Sequence, residues 1–395
     1  MNPVFVGALA LAVVGFQSAV AQAPPRLRLV EDLRIGSLAD PRGRFSMVRE
    51  VRPMADGSLA LITALGSAWS VRVFDANGRH RWTRDFEPRQ TPAGLAVSGD
   101  TLVVQSGIYE SIQFLFFRVG SDEPFGVTEV FAERGQTTTL LGSLAGPPIV
   151  VTGTPNEPYG RFLAAVARVP YEFRTIAPNP AAPPFLRWVD STPRAIVPAT
   201  GRGMEGSRAI VLPWMPVPTF HAVRGEVVLA TEAGFNLRLV GANGAVRRTI
   251  AIPIQARPLT DELIQTLFAS WRTGPGRALP DSVLPAIRAV PPPPHFPVIG
   301  GVFASANGEF AVRRRDRQPD LTAPPDTAHF DVVGTNGAIR GSFALPAPFR
   351  FAAFSGTHVY ATFSDSTRIA ARSSERSQIA LPLVQVARFR LESSR

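Results

Sequence analysis

Val71-Arg72-Val73-Phe74-Asp75-Ala76-Asn77-Gly78 decides the fold, because its pattern returns at Leu237-Arg238-Leu239-Val240-Gly241-Ala242-Asn243-Gly244 and at Phe330-Asp331-Val332-Val333-Gly334-Thr335-Asn336-Gly337. Each copy is an apolar run ending in Asn-Gly, preceded some way upstream by a second glycine-centred turn. Asn-Gly supplies the positive-φ pair that a tight hairpin needs, so a strand-Asn-Gly-strand unit repeated along a chain predicts a repeated β-sheet module.

With both turn types as punctuation, the chain divides into six similar stretches. The first runs from Phe45 to Glu87, with a turn at Ala55-Asp56-Gly57 and the Asn77-Gly78 tip between apolar strands. Four antiparallel strands in meander order make one propeller blade. The others run from Thr91 to Glu133, Thr137 to Ile176, Pro218 to Ile254 and Phe296 to Leu345, with a last one from Phe349 to the alternating strand Val384 to Leu391. In the third, Phe162 to Val169 reads as a strand. The sixth lacks a marked outer strand, and Leu27 to Ile35 can supply it, which would leave no free sheet edge.

The predicted fold class is therefore all-β: a six-bladed β-propeller, with seven blades as the alternative count, and one short helical insertion between blades 4 and 5. It forms a single domain over residues 22–395, interrupted by a Pro-rich insertion at 178–216 and a helical insertion at 258–294. In the second, Thr260 can cap a helix, Asp261 and Glu262 suit its N-terminal dipole, and Leu263, Leu267, Phe268 and Trp271 form one apolar face. The unit of apolar strand, glycine turn, strand, loop and strand ending Phe-Asp-Ala-Asn-Gly resembles the six-bladed β-propellers of the NHL and TolB-like group. It also resembles uncharacterised exported bacterial propellers with a helical insertion before the fifth blade.

The chain opens with an uncharged apolar run from Val4 to Phe16 and the small-x-small site Ala19-Val20-Ala21. This predicts a removable signal peptide over residues 1–21 and a periplasmic or secreted protein, with no later segment apolar enough to span a membrane. There is no Cys, which removes thiol nucleophiles and Cys-ligated metals. There is no Lys either, so all 41 basic side chains are Arg, which excludes Schiff-base chemistry and a phosphate-loop lysine. A net charge of +10 favours anionic partners, among them an anionic envelope surface; export argues against nucleic acid. Arg313, Arg314, Arg315 and Arg317 form the one dense cluster, read either as a solvated or acid-paired loop or as an anion contact.

Meander topology places the tight glycine turns on one face of a propeller and the longer second-to-third loops and blade links on the other. Binding residues concentrate on such loops. The expected binding face therefore gathers Trp69, Tyr109, Glu110, Asn156, Tyr159, Glu232, Phe235, Asn236, Arg313 and Arg315, and would suit a protein partner or a small polar ligand. No catalytic or metal residue is assigned, and no cofactor is expected. Gly201-Arg202-Gly203-Met204-Glu205-Gly206 fits G-x-G-x-x-G but lacks the strand and helix that give that motif its meaning. The five His are scattered, with no H-E-x-x-H and no G-x-S-x-G. The reading is an exported non-catalytic binding propeller. The alternative, a metal-dependent hydrolase or lyase, comes from the resemblance: lactonase-type propellers hold a divalent metal through channel carboxylates and amides, and oxygen ligands would suit Ca²⁺.

Overall fold

The computed structural model describes residues 24–394 except 88–89, 108–110, 132–136, 143–147, 154–164, 178–182, 190–193, 202–203, 211, 217, 232–234, 255, 274–283, 318–325 and 373–377. The chain begins with β1 (Leu27–Ile35) and then builds a first sheet from β2 (Met47–Pro53), β3 (Leu59–Leu65), β4 (Ala68–Phe74) and β5 (His80–Phe86). A second sheet follows from β6 (Pro92–Ser98), β7 (Thr101–Ser106), β8 (Ser111–Arg118) and β9 (Gly126–Phe131). After β10 (Thr137–Gly142) and β11 (Ile149–Gly153) the chain leaves the third sheet for β12 (Ala165–Ala167), then returns with β13 (Pro170–Thr175) and β14 (Leu186–Val189). β12 joins a separate sheet with β15 (Arg194–Gly201) and β16 (Met204–Ile210).

The fourth sheet is β17 (Thr219–Val223), β18 (Glu226–Thr231), β19 (Asn236–Gly241) and β20 (Val246–Ala251). Next come β21 (Arg257–Pro258), α1 (Asp261–Thr273), α2 (Leu284–Arg288) and β22 (His295–Phe296), with β21 paired to β22. The fifth sheet is β23 (Ile299–Ala304), β24 (Phe310–Arg314), β25 (Thr327–Val333) and β26 (Ile339–Pro346). The sixth is β27 (Arg350–Phe354), β28 (His358–Arg372) and β29 (Gln378–Ser393), and β1 is its fourth strand, running antiparallel to β29 from Leu27↔Ser393 to Ile35↔Val386.

Six four-stranded antiparallel sheets make the six blades, and their first strands β2, β6, β10, β17, β23 and β27 approach one another in a closed ring. Each seam between neighbouring blades holds its own apolar cluster. This is why β3 (Leu-Ala-Leu-Ile-Thr-Ala-Leu) is buried along almost its whole length, while the outer β20 exposes most of its residues. A strand packed by a blade on each side has no solvent face.

At the Asn-Gly tips only the glycine is left-handed: Gly78, Gly244 and Gly337 have φ of 78°, 76° and 86°, and Asn77, Asn243 and Asn336 are absent from the positive-φ set. The expected pair of positive-φ residues is corrected to a turn closed by Gly78 N–H to Asp75 O at 2.9 Å, with a bulge in the ladder between Val73 and Phe74. The Asp75 and Asn243 side chains accept backbone N–H groups inside their own turns, which is what makes Asx residues good here. The glycines also touch the preceding blade. A Cβ on Gly244 would lie 2.6 Å from Phe185 O, whereas one on Gly99, also left-handed at φ 61°, would meet nothing within 4 Å. Gly99→Ala is expected to cost about 1 kcal/mol of left-handed strain, and Gly244→Ala at least twice that. Equal shifts in urea midpoint for the two variants would contradict the contact.

Two expectations about the insertions change. The stretch 178–216 is not all insertion, because Leu186–Val189 within it is the outer strand of the third blade, paired with β13. Its flanking prolines are tolerated because an outer strand needs ladder partners on one side only. Conversely, β12, the strand within the described part of 162–169, belongs to the separate sheet and not to a blade. The helical insertion holds α2 as well as α1. Leu267 and Trp271 of α1, Leu284 and Ile287 of α2, Phe296, and Leu212, Trp214 and Met215 form one cluster, so the two insertions share a core. Thr260 Oγ1 accepts Leu263 N–H at 3.3 Å at the start of α1.

Candidate functional site: the basic central channel

Tyr109, Glu110, Asn156, Tyr159 and Glu232 lie outside the described residues. Of the rest, Trp69 lies in β4 against the first seam, with the Arg49 guanidinium 5.6 Å above its ring. Phe235 has a left-handed φ of 53° and packs against the insertion cluster and the seam between blades 4 and 5; Asn236 opens β19 opposite Ala251. Arg313 pairs with Gly301 and Phe330 in the fifth sheet. Arg315 stacks over Phe296 at 4.8 Å and donates to Pro213 O at 2.5 Å; burial, reinforced by the charge of Arg313, lowers its pKa to about 10. Apart from the chain neighbours Phe235 and Asn236, the described members that come together are Arg313 and Arg315, both beside Gly300. Within the cluster, Arg314 and Arg317 are acid-paired: Arg314 bonds Asp316 and the fully buried Asp331, and Arg317 Nη2 lies 3.0 Å from Asp331 Oδ1. A strand does precede the G-x-G-x-x-G stretch, contrary to the expectation, since β15 continues through Pro198 to Gly201; it is followed by the hairpin to β16 and not by a helix, so the dinucleotide context is still missing.

The first strand of every blade runs from the loop face to the tight-turn face. Five of the six carry a register shift against their partner, at Val48/Glu50, Pro92/Gly94, Leu140/Gly142, Ile299/Gly301 and Phe351/Ala353. A bulge re-aims side chains that a regular pleat would send into a seam. Between these strands lies a cavity of about 380 Å³ lined by Arg49, Glu50 and Arg52 of β2, His221 of β17, Phe303 of β23 and Arg350 and Phe351 of β27, among others.

Glu50 and Arg52 form an ion pair whose outer atoms read the backbone of the next blade: Leu95 N–H donates to Glu50 Oε2 at 2.8 Å and Arg52 Nε donates to Leu95 O at 2.9 Å. Arg49 Nη1 reaches Pro92 O at 3.3 Å. Burial pushes the Glu50 carboxyl above its ordinary range, opposed by Arg52 and by the Leu95 N–H. Burial, with the Arg52 charge adding to it, drives His221 down to about 3, so its ring is neutral at physiological pH; it lies 5.8 Å from the Phe303 ring. Arg350 is exposed at the cavity wall, and its side chain has no hydrogen bond or ion pair among the described residues.

Three arginines and one glutamate thus line the cavity, and the Glu50 carboxylate is already committed to Arg52 and the Leu95 N–H. A divalent cation does not fit this lining: the described residues bring together no group of three His, Asp or Glu, and the field of Arg49, Arg52 and Arg350 repels a cation. An anion fits it. Arg49, Glu50, Arg52, His221 and Arg350 are missing from the sequence-predicted face because that face is built from loop residues, whereas these five stand on the first strands of blades. The available signal was Arg49-Glu50-Val51-Arg52, a charged run inside the first strand of a blade.

Among solved structures, the chain is similar to a DUF4221 family member from Bacteroides vulgatus, with a TM-score of 0.47, 10% identity and coverage of 94% of this chain and 100% of the other. A Bacteroides fragilis protein that is exported according to its name matches with a TM-score of 0.47 and 8% identity over 93% and 96% of the two chains. The calcium-binding protein regucalcin from Agrobacterium tumefaciens matches with a TM-score of 0.37 and 10% identity over 92% and 96%. No protein-family model and no curated protein matches the chain.

Proposed function

We propose that this chain is an exported binding propeller whose central channel takes a small anionic ligand carrying carboxylate or phosphate groups. One observation carries the reading: Arg49, Arg52 and Arg350 line a single cavity against one carboxylate, Glu50. Its volume of about 380 Å³ lies within the range of small-molecule sites. Guanidinium groups bind carboxylate and phosphate through charge-assisted bonds, and Arg350 keeps its donors for that role among the described groups. Binding rather than turnover follows from the commitments of the other polar groups. Glu50 is held by Arg52 and Leu95, and His221 is too acidic to act as a base near neutral pH. Export rests on the leader-like sequence of residues 1–21. Among the described residues no helix is long and apolar enough to cross a membrane.

Calorimetric titration with citrate and with inorganic phosphate tests the reading. At least one should bind the wild-type protein, and binding should weaken as salt rises. Arg350→Ala, at an exposed position, should cost about 1.5–3 kcal/mol of binding energy, or tenfold or more in affinity. Affinity for both anions that is unmoved by Arg350→Ala, or no binding by the wild type, would sink it.

A further inference from the structure

The basic channel differs from one end to the other. Because the first strands run from the loop face to the tight-turn face, position along a strand gives depth in the channel. Arg350 opens β27, and Arg49 is the third residue of β2, at its bulge, so both stand toward the loop-face mouth. Both are exposed, and neither is in an ion pair among the described residues. Pro53 and Phe354 end the same two strands, and both are buried. They also line a second cavity, of about 430 Å³, beside the tight turns that hold Gly57 and Gly99. Pro53 and Phe354 thus stand between the two cavities as the floor of the channel.

Between mouth and floor the free charge ends and aromatic surface takes its place. Glu50 and Arg52 pair with each other and His221 is neutral, so these three add no net charge to the wall. Phe351 of β27 and Phe303, next to last in β23, line the same cavity with ring centroids 4.3 Å apart. Both are only partly buried, so they keep surface for a ligand to cover. Phe330, fully buried and stacked on Phe351 at 4.5 Å, holds that wall in place. Ala304 and Ala353 beside them add only methyl groups. From Arg350 to Phe354 the strand rises about 13 Å, room for one ring and a short chain below the mouth.

We propose that the channel's ligand is an aromatic carboxylate, a carboxyl group joined by a short chain to one ring, seated with the ring against Phe303 and Phe351 and the carboxylate at Arg49 and Arg350. This ligand class presupposes the anion reading and narrows it. A bare inorganic anion has no apolar surface to bury against the two rings. A neutral aromatic compound leaves both mouth arginines without a partner. A ring carrying a carboxylate uses both ends of the channel, through apolar burial and aromatic contact at one end and charge-assisted hydrogen bonds at the other.

Calorimetric titration of the full chain with acetate, 3-phenylpropionate, 3-phenylpropanol, citrate and inorganic phosphate tests it. 3-Phenylpropionate should bind about tenfold or more tighter than acetate, which has no ring to bury. 3-Phenylpropanol removes the charge from the ligand and Arg350→Ala removes it from the mouth, and each should weaken binding about tenfold or more. Phe303→Leu should weaken 3-phenylpropionate about two- to tenfold and acetate by less. If that variant fails to fold, the wild-type ratio of 3-phenylpropionate to acetate still decides. Citrate or phosphate bound through Arg350, with 3-phenylpropionate no tighter than acetate, would overturn the aromatic assignment and leave the anion reading standing. Binding of none of the four anions would remove both. 3-Phenylpropionate bound equally well by the wild type and by Arg350→Ala would put its site outside the channel and overturn the assignment.

Discussion

Asp331→Ala is expected to lower the free energy of unfolding by about 3 kcal/mol or more, the cost of breaking a buried ion pair from one side. Asp331 is fully buried in β25, and Arg314, 8% exposed, bonds it from the neighbouring strand β24. Arg317 adds a third charge, 3.0 Å from Asp331 Oδ1 though not aligned for a hydrogen bond to that atom. Burial works against the Arg314 charge, and the bonds and fields of Asp316 and Asp331 outweigh it, leaving its pKa raised. Without Asp331 the interior keeps two guanidinium groups and only Asp316 to meet them. Urea unfolding checks this: a loss under about 1 kcal/mol would mean that water or Asp316 compensates, and that the pair contributes no more than an exposed one.

Deleting residues 24–36 should have a still larger effect. β1 packs Leu27 and Leu29 against the seam between blades 5 and 6, and Leu33 and Ile35 against that between blades 6 and 1. Full burial of one such side chain contributes about 1.5–3 kcal/mol; Ile35 is buried and the three leucines are partly so, so their joint loss removes a large part of an ordinary domain's stability. The deletion also bares the backbone edge of β29, a template for association, and unpairs Arg388 from Asp32. The shortened chain should lose its near-ultraviolet dichroism and elute as aggregate. A monomer with a sharp thermal transition close to that of the full chain would show that the ring does not depend on its terminal strand.

The blades were legible because their turns need glycine for a local, steric reason. Gly78, Gly244, Gly308 and Gly337 are all left-handed, and no distant contact is needed to read them. The third blade was blurred for an equally physical reason: β12 interrupts it and prolines flank β14, so its hydrophobic periodicity is broken along the chain although the sheet is complete. The shared core of the two insertions was hidden because Trp214 and Trp271 meet only in three dimensions. The same holds for the channel. Arg49, His221 and Arg350 stand on three different blades and are aligned by ring closure, partly through bulges that leave no mark in periodicity. The arginine cluster was visible as charge, but its pairing was not, since Asp331 stands opposite Val312 on the neighbouring strand and reaches Arg314 diagonally.

Diffraction from crystals soaked in selenate decides whether the channel is an anion site, because selenium can be located from its own anomalous signal. A peak is expected inside the channel within hydrogen-bonding distance of Arg350 and of Arg49 or Arg52. Selenate bound elsewhere on this basic surface while the channel shows no peak would contradict it.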